Sequence, residues 1–259
     1  MSICGSLFLV GVSNYLLHTF IKIFDNGYRY TLSNIFLLKV KLAIIHLTFT
    51  LNIIAERGCI VDKIILTDID GVVFDWHTAF VKWMELQGYS STGVMHHDAE
   101  IHNEFGIAFQ EGLIKREEFN SSMACSILEP LRGAEIWIPK LKEEGFKFIA
   151  ITSLSDKPIA QYYRYLNLED YFDVETFLDV KCLPAGADKT EALEEFKDSG
   201  LLYIDDRTLN IETALKQNLH PILMKHPYNI QYSNPKVKLV NTWEDIYKYI
   251  QKVYKGEPK

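Results

Sequence analysis

Two carboxylates one residue apart, between an apolar run and a glycine, are the first residues of this chain that could do chemistry. Ile64-Ile65-Leu66 leads through Thr67 into Asp68-Ile69-Asp70-Gly71-Val72-Val73-Phe74-Asp75. In a strand, residues i and i+2 point to the same side, so Asp68 and Asp70 can face one reaction centre. Gly71 permits a sharp backbone turn just beyond them. Acids this close repel each other unless a cation sits between them or one holds a proton. The spacing therefore asks for a divalent metal, an acid/base pair, or both.

Two later runs have a similar form. Phe148-Ile149-Ala150-Ile151-Thr152-Ser153 is rich in β-formers and ends in two hydroxyls, and Leu201-Leu202-Tyr203-Ile204-Asp205-Asp206-Arg207 ends in paired acids. A hydroxyl at the C-terminal end of a parallel strand can donate to a phosphate oxygen at the mouth of the sheet. Taken in order, these motifs resemble the haloacid dehalogenase (HAD) superfamily of phosphohydrolases, whose first motif is Asp-x-Asp-Gly after a buried strand. That superfamily also places a lysine ahead of its last acidic motif. Two candidates stand here: Lys189, opening the predicted helix Lys189–Phe196, and Lys181, ending the preceding strand-like run. The usual placement at a helix start favours Lys189.

The resemblance implies a mechanism. Asp68 attacks phosphorus and forms an aspartyl-phosphate, dividing one hard step into two. Asp70 protonates the leaving oxygen and then takes a proton from the hydrolytic water. Asp68, the main-chain carbonyl of Asp70, Asp205 and Asp206 form the metal set for Mg2+, a hard cation suited to few carboxylates and several waters. Thr152 and Lys189 hold the phosphoryl oxygens, with Ser153 beside them, and lysine suits that task as a compact charge. Strand-end aspartates can also act only as helix caps, which is the structural alternative for each acid.

Composition narrows the class. Hydrophobic residues at 48% with 24% charged describe a soluble globular protein able to bury a core. Residues 1–60 carry five Lys/Arg against two Asp/Glu, +3, so the net charge of −7 leaves −10 on residues 61–259. An acidic catalytic region argues against stable nucleic-acid binding, which needs clustered Lys and Arg, and favours a small phosphorylated substrate. Cys4, Cys59, Cys125 and Cys182 are scattered without a C-x-x-C pair. No zinc site or disulfide framework is implied, and a reducing cytoplasm fits.

Residues 1–60 form a hydrophobic extension apart from the motifs. Apolar stretches Leu7 to Ile23 and Ile35 to Ile54 are broken by Asn14, His18, Lys22, Lys39, Lys41 and His46. The second has the length of a membrane span, but two lysines near its start weaken that reading, and no positive charge precedes Leu7 as a secretory signal would want. Glu56-Arg57-Gly58 can be encoded by a purine run resembling a ribosome-binding site, with Val61 as a GTG start at the usual distance. The segment is thus read as untranslated upstream sequence, as a structural extension, or as a membrane-associating piece.

From residue 61, strand-like runs alternate with helical patterns, which predicts an α/β fold: a HAD-like Rossmannoid parallel sheet flanked by helices. The strands are Ile64–Leu66, Phe148–Ile151, a run near Val174–Val180, Leu201–Ile204 and Pro221–Met224. Helices are expected over Pro158–Leu166, Lys189–Phe196, Leu209–Gln217 and Trp243–Tyr254, the last with Trp243, Ile246, Ile250 and Val253 at helical spacing. Pro139 predicts that the helix around Ile136–Leu141 starts late or kinks. The catalytic core is residues 61–75 and 133–259, and residues 76–132 form a small helical cap inserted after the first strand. In the cap, Trp76, Phe80, Trp83 and Leu86 make a helical stripe that Gly88 can end, followed by helical candidates Phe105–Phe119 and Met123–Leu131. A cap screens the site from water and contacts the leaving group.

Within the superfamily the chain most resembles the 5'(3')-deoxyribonucleotidases, on the Asp68–Asp75 run with an aromatic after it, Thr152-Ser153, Asp188-Lys189-Thr190, Ile204-Asp205-Asp206-Arg207, Pro227-Tyr228-Asn229 and Trp243-Glu244. That implies a (deoxy)nucleoside monophosphate as substrate, with Trp76 packed against the base; a helix-core aromatic is the other reading of Trp76. Phe105 and Phe109 are further candidates, more often core than ligand-binding. The chain departs from that family at Phe74, where a small residue is common and a narrower entrance is expected, and over Ser90 to Asn103. His96, His97, Asp98 and His102 read as a solvated surface rather than a zinc site, having no cysteine nearby. The alternatives to a nucleotidase are a phosphatase for another small ester or a polynucleotide 3'-phosphate, and a non-catalytic HAD-like binding module. Oligomeric state has no signal in the sequence.

Overall fold

Short β-branched runs separated by helical segments build a single parallel sheet. The computed structural model describes residues 63–96 and 100–255; the readings made for residues 1–60, and for His97 and Asp98, lie outside the described residues. The strands are β1 (Ile64–Thr67), β2 (Lys147–Thr152), β3 (Phe177–Cys182), β4 (Leu202–Asp205), β5 (His220–Met224) and β6 (Lys238–Val240). They lie in the order β3-β2-β1-β4-β5-β6, and every neighbouring pair is parallel. β1 and β4 are buried along their whole length, as expected for strands covered on both faces.

This order places the functional centre. The chain builds from β1 outward to β2 and β3, then returns to the other side of β1 for β4. Leu66 pairs with Ile149 of β2 and with Tyr203 of β4. The crevice outside the carboxyl ends of β1 and β4 is the topological switch point, where open α/β sheets bind ligands. Asp68 follows β1 directly and Asp205 ends β4, so both motifs emerge at that crevice.

The helices are α1 (Trp76–Leu86), α2 (Ile101–Phe105), α3 (Phe109–Asn120), α4 (Ala134–Glu143), α5 (Pro158–Tyr171), α6 (Thr190–Glu194), α7 (Thr208–Lys216) and α8 (Trp243–Lys255). The first three lie within residues 76–132, the insertion after β1. Asp75 caps α1 by accepting from the Thr78 N–H at 3.1 Å. The insertion is held by an aromatic cluster in which Trp76 stacks on Phe80 and both meet the edge of Phe119. α8 ties the far end of the chain to the first motif, since the Trp243 indole donates to the Val72 carbonyl at 2.8 Å.

Several local expectations change. The single helix predicted over Phe105–Phe119 is two, because Gly106 takes a left-handed conformation (φ 61°) and ends α2. Met123–Leu131 is helical only as one 3-10 turn, Met123–Ser126. Leu86 is 88% exposed, and Met84 takes its place on the buried stripe; Val253 is also exposed. α4 does not start late: it runs from Ala134 to Glu143 with Pro139 inside it, and burial of Ala134, Ile138 and Leu141 carries it past the missing N–H. Phe74 does not narrow an entrance but is fully buried against Tyr171 and Phe172. β6 has only three residues, too few to carry a periodic signal. Among the described residues no helix is long and apolar enough to cross a membrane.

Candidate active site

The site is built from strand ends. Asp68 is anchored through its own amide, which donates to the Ile204 carbonyl of β4 at 2.8 Å. Its Oδ1 accepts the Ile69 N–H at 2.6 Å, and its Oδ2 lies 2.8 Å from Lys189 Nζ. Lys189 immediately precedes α6 and is buried; its ammonium also reaches Asp205 Oδ2 at 2.9 Å. Of the two lysines weighed in the sequence, Lys189 therefore enters the site. Lys181 instead pairs with Glu195 at 2.5 Å, near the surface.

Asp205 is fully buried and held from every side. It accepts from the Tyr203 hydroxyl, from the Arg207 N–H at 2.7 Å, and from Asn210 Nδ2 at 3.0 and 3.2 Å. Tyr203 and Asp205 are two apart on β4 and so share a side of the strand. Asp206 accepts from the Tyr228 hydroxyl, and its main-chain carbonyl accepts from Asn229 Nδ2 at 2.7 Å. The Tyr228 ring stacks flat on His226 (5.1 Å, 3°), whose Nε2 meets the Gly71 carbonyl at 2.7 Å. Burial pulls the His226 imidazole down to about 4, so it is neutral near pH 7 and donates that bond. The last acidic motif is thus tied to the turn after the first. Gly71 itself is required there: φ is +77°, and a Cβ would stand 2.5 Å from Asp206 Oδ2.

One carboxylate oxygen each from Asp68, Asp205 and Asp206 lie within 4.8 Å of one another, the group among the described residues that can share a metal ion. All three residues are buried, and Asp68 and Asp205 pair with one buried ammonium, which also acts on Asp206 through space. Burial pushes the Asp68 carboxyl up to about 7, with Lys189 opposing and Asp205 and Asp70 adding to the rise. Burial, then Asp205 and Asp68, raise Asp206 well above the usual carboxylate range. Lys189 itself is held above its ordinary value: burial works to lower it, but Asp205 and Asp68 together outweigh that. Three acids crowd one base, and the raised Asp68 and Asp206 carboxyls express the cost of charging all three without a further cation. A divalent cation with hard oxygen ligands fits this donor set, which is the charge the site lacks.

The other predicted residues line the same pocket: Asp70, Trp76, Thr152 and Ser153, together with Asp68, Lys189 and Asp206. The Asp70 carboxylate stands apart from the three-acid group and bonds Arg164. Thr152 is buried at the end of β2. Ser153 Oγ donates to the Ala187 carbonyl at 2.9 Å, fastening β2 to the loop that carries Lys189. Trp76 is 5% exposed, with its indole N–H on Asn120 Oδ1 at 2.9 Å and one face on Phe80 at 4.7 Å. Phe105 is buried in the insertion, Phe109 is half exposed against His102, and neither lines the pocket. His96, read from sequence as solvated surface, is on the pocket wall beside Met95.

Several site residues escaped the sequence reading. His77 lines the pocket, 2.7 Å from the buried Glu104, which also accepts from Ser91 at 2.8 Å. Arg116 of α3 is a buried part of the pocket wall, its guanidinium lying over Gly186. Arg164 of α5 is fully buried behind Asp70. None of these carries a local motif, so only the tertiary fold reveals them.

No protein-family model matches the sequence, and no curated protein matches it. Solved structures do. A haloacid dehalogenase-like hydrolase from Bacteroides fragilis is 14% identical with a TM-score of 0.51, covering 71% of this chain and 99% of that one. CbbY from Rhodobacter sphaeroides, solved in complex with phosphate, is 15% identical with a TM-score of 0.50, covering 71% and 96%. Protein Tyrosine Kinase A (PtkA) from Mycobacterium tuberculosis is 15% identical with a TM-score of 0.50, covering 73% and 98%. A fold that also serves a protein named as a kinase does not choose the reaction, which has to be argued from the site. What the likeness establishes is the architecture: a HAD-like, Rossmann-like parallel sheet of six strands flanked by helices.

Proposed function

We propose that this chain is a divalent-cation-dependent phosphomonoesterase working through an aspartyl-phosphate. The observation that carries the reading is the meeting of Asp68, Asp205 and Asp206 beside Lys189 at the β1/β4 switch point. Asp68 attacks phosphorus while Asp70 gives a proton to the departing alcohol oxygen, leaving the phosphoryl group on Asp68. Asp70 then removes a proton from the water that attacks phosphorus, which frees inorganic phosphate and restores Asp68. Lys189 and Thr152 bind the phosphoryl oxygens, with Ser153 beside them and its hydroxyl proton on the Ala187 carbonyl. Asp68, the main-chain carbonyl of Asp70, Asp205 and Asp206 would hold Mg2+, which when bound offsets the negative charge of the ester. Residues 61–75 and 133–259 act as the catalytic core, and residues 76–132 as a cap that screens the site and contacts the leaving group. The scattered cysteines fit a cytoplasmic enzyme acting on a small molecule.

The sequence resemblance points to a (deoxy)nucleoside monophosphate as the ester, with Trp76 against the base. One observation favours a different small phosphate ester: Trp76 is almost buried and one of its faces is taken by Phe80, which leaves little ring to stack on a base. Deoxynucleotides, ribonucleotides and sugar phosphates should be assayed with Mg2+ and again with EDTA. Phosphate release that EDTA stops is the expected result, and release unaffected by EDTA overturns the proposal. Trp76→Ala separates the two substrates. A KM raised for nucleotides alone supports base contact, whereas an equal effect on every ester removes Trp76 from specificity.

A further inference from the structure

Resting on the phosphatase reading, we infer that Arg164 is the positioning residue for Asp70, a buried clamp that aims the proton-transfer carboxylate into the pocket. Arg164 sits in the middle of α5 with no exposed surface, an unusual place for a guanidinium. Its Nη2 donates to Asp70 Oδ1, and Asp70 is the acid it pairs with among the described residues. The Asp70 carboxylate bonds Arg164 while still lining the pocket, with 22% of its side chain exposed. Asp70 is thus gripped by Arg164 while part of its side chain still lines the pocket.

The clamp is itself held. Arg164 Nη1 reaches Asn167 Oδ1 at 3.4 Å, its guanidinium lies over the Phe74 ring at 5.6 Å, and Nη2 is 3.8 Å from Cys125 Sγ. Asn167 in turn donates to the Leu128 carbonyl at 3.0 Å. Cys125 and Leu128 belong to the segment returning from the insertion, and Phe74 closes the turn that begins at Asp70 through the Gly71 N–H to Phe74 carbonyl bond at 2.9 Å. One buried group therefore joins α5, the returning segment and the acid/base turn. Proton transfer needs a donor fixed within hydrogen-bond reach of the reacting oxygen, and a carboxylate free to rotate spends most of its time elsewhere.

A double-mutant cycle over Arg164→Met and Asp70→Asn, read in both kcat and KM, tests this. In the wild-type background Arg164→Met is expected to lower kcat by about 10- to 100-fold with KM within about twofold. In the Asp70→Asn background the same change should alter the residual kcat by less than about twofold, because the residue it acts through is already gone. Arg164→Lys, which keeps the charge but not the planar fork, should restore part of the lost kcat; if Arg164→Met does not fold, Arg164→Lys takes its place in the cycle. A wild-type kcat in the variant, or the same proportional loss in both backgrounds, overturns the clamp. Wild-type protein that releases phosphate from no ester overturns the phosphatase reading instead.

Discussion

Asp68→Asn is expected to abolish phosphate release, with kcat down at least about 10^3-fold, while the protein stays as stable as wild type or becomes more so. The amide keeps the shape of the carboxylate but has one acceptor oxygen for the two donors on Asp68, Lys189 and the Ile69 N–H, and it is too weak a nucleophile to attack phosphorus. The stability half of the prediction follows from charge. Asp68, Asp205 and Asp206 are buried with one ammonium among them, and burial already pushes the Asp68 carboxyl up to about 7. Replacing a buried carboxyl that is costly to ionise removes that cost when no cation is present. Steady-state assays and thermal melts in EDTA check both halves. A variant with wild-type turnover would mean that Asp68 is not the nucleophile, and one that fails to fold would mean that its charge is needed structurally.

Lys189→Met should have the opposite effect on stability. It removes the base and leaves Asp68 and Asp205 buried without it, a change that costs about 3–5 kcal/mol when one partner of a buried pair is lost. For a domain of this size that is a fall of roughly 10 °C in Tm in EDTA. Added Mg2+ should recover more of the Tm in the variant than in wild type, because the ion replaces part of the missing positive charge. Lys181→Met is the control: its pairing with Glu195 is close to the surface, and its loss should cost no more than about 1 kcal/mol. Equal stability of the Lys189 and Lys181 variants would remove Lys189 from the site.

Most of the candidate site was legible because its signals are local. A buried run followed at once by acids or hydroxyls marks Asp68, Thr152 and Asp205, and a strand that ends in chemistry in a parallel sheet ends at a shared rim. Lys189 was separable from Lys181 only by its place at a helix start, and Lys189 is the one that lies beside Asp68 and Asp205. What stayed hidden depends on distance along the chain or on a side chain with two characters. Arg164 lies 94 residues from Asp70. Tyr203 reads as an apolar strand residue, yet its hydroxyl supports Asp205. His226 and Tyr228 lie in a motif that the sequence flags, but nothing local says that they fasten Asp206 to the Gly71 turn. In the insertion, the aromatic spacing foretold a packed cluster but not which residues turn to the pocket: Arg116 and His77 do, and Phe105 and Phe109 do not.

The account stands on three acids from two neighbouring strands sharing one cation. Binding of Mn2+, a spectroscopic stand-in for Mg2+, can be titrated by electron paramagnetic resonance in wild type and in Asp205→Asn. One bound ion per chain in wild type, with affinity reduced at least about tenfold in the variant, is the predicted result. No bound ion in wild type, or equal affinity in the two proteins, would contradict it.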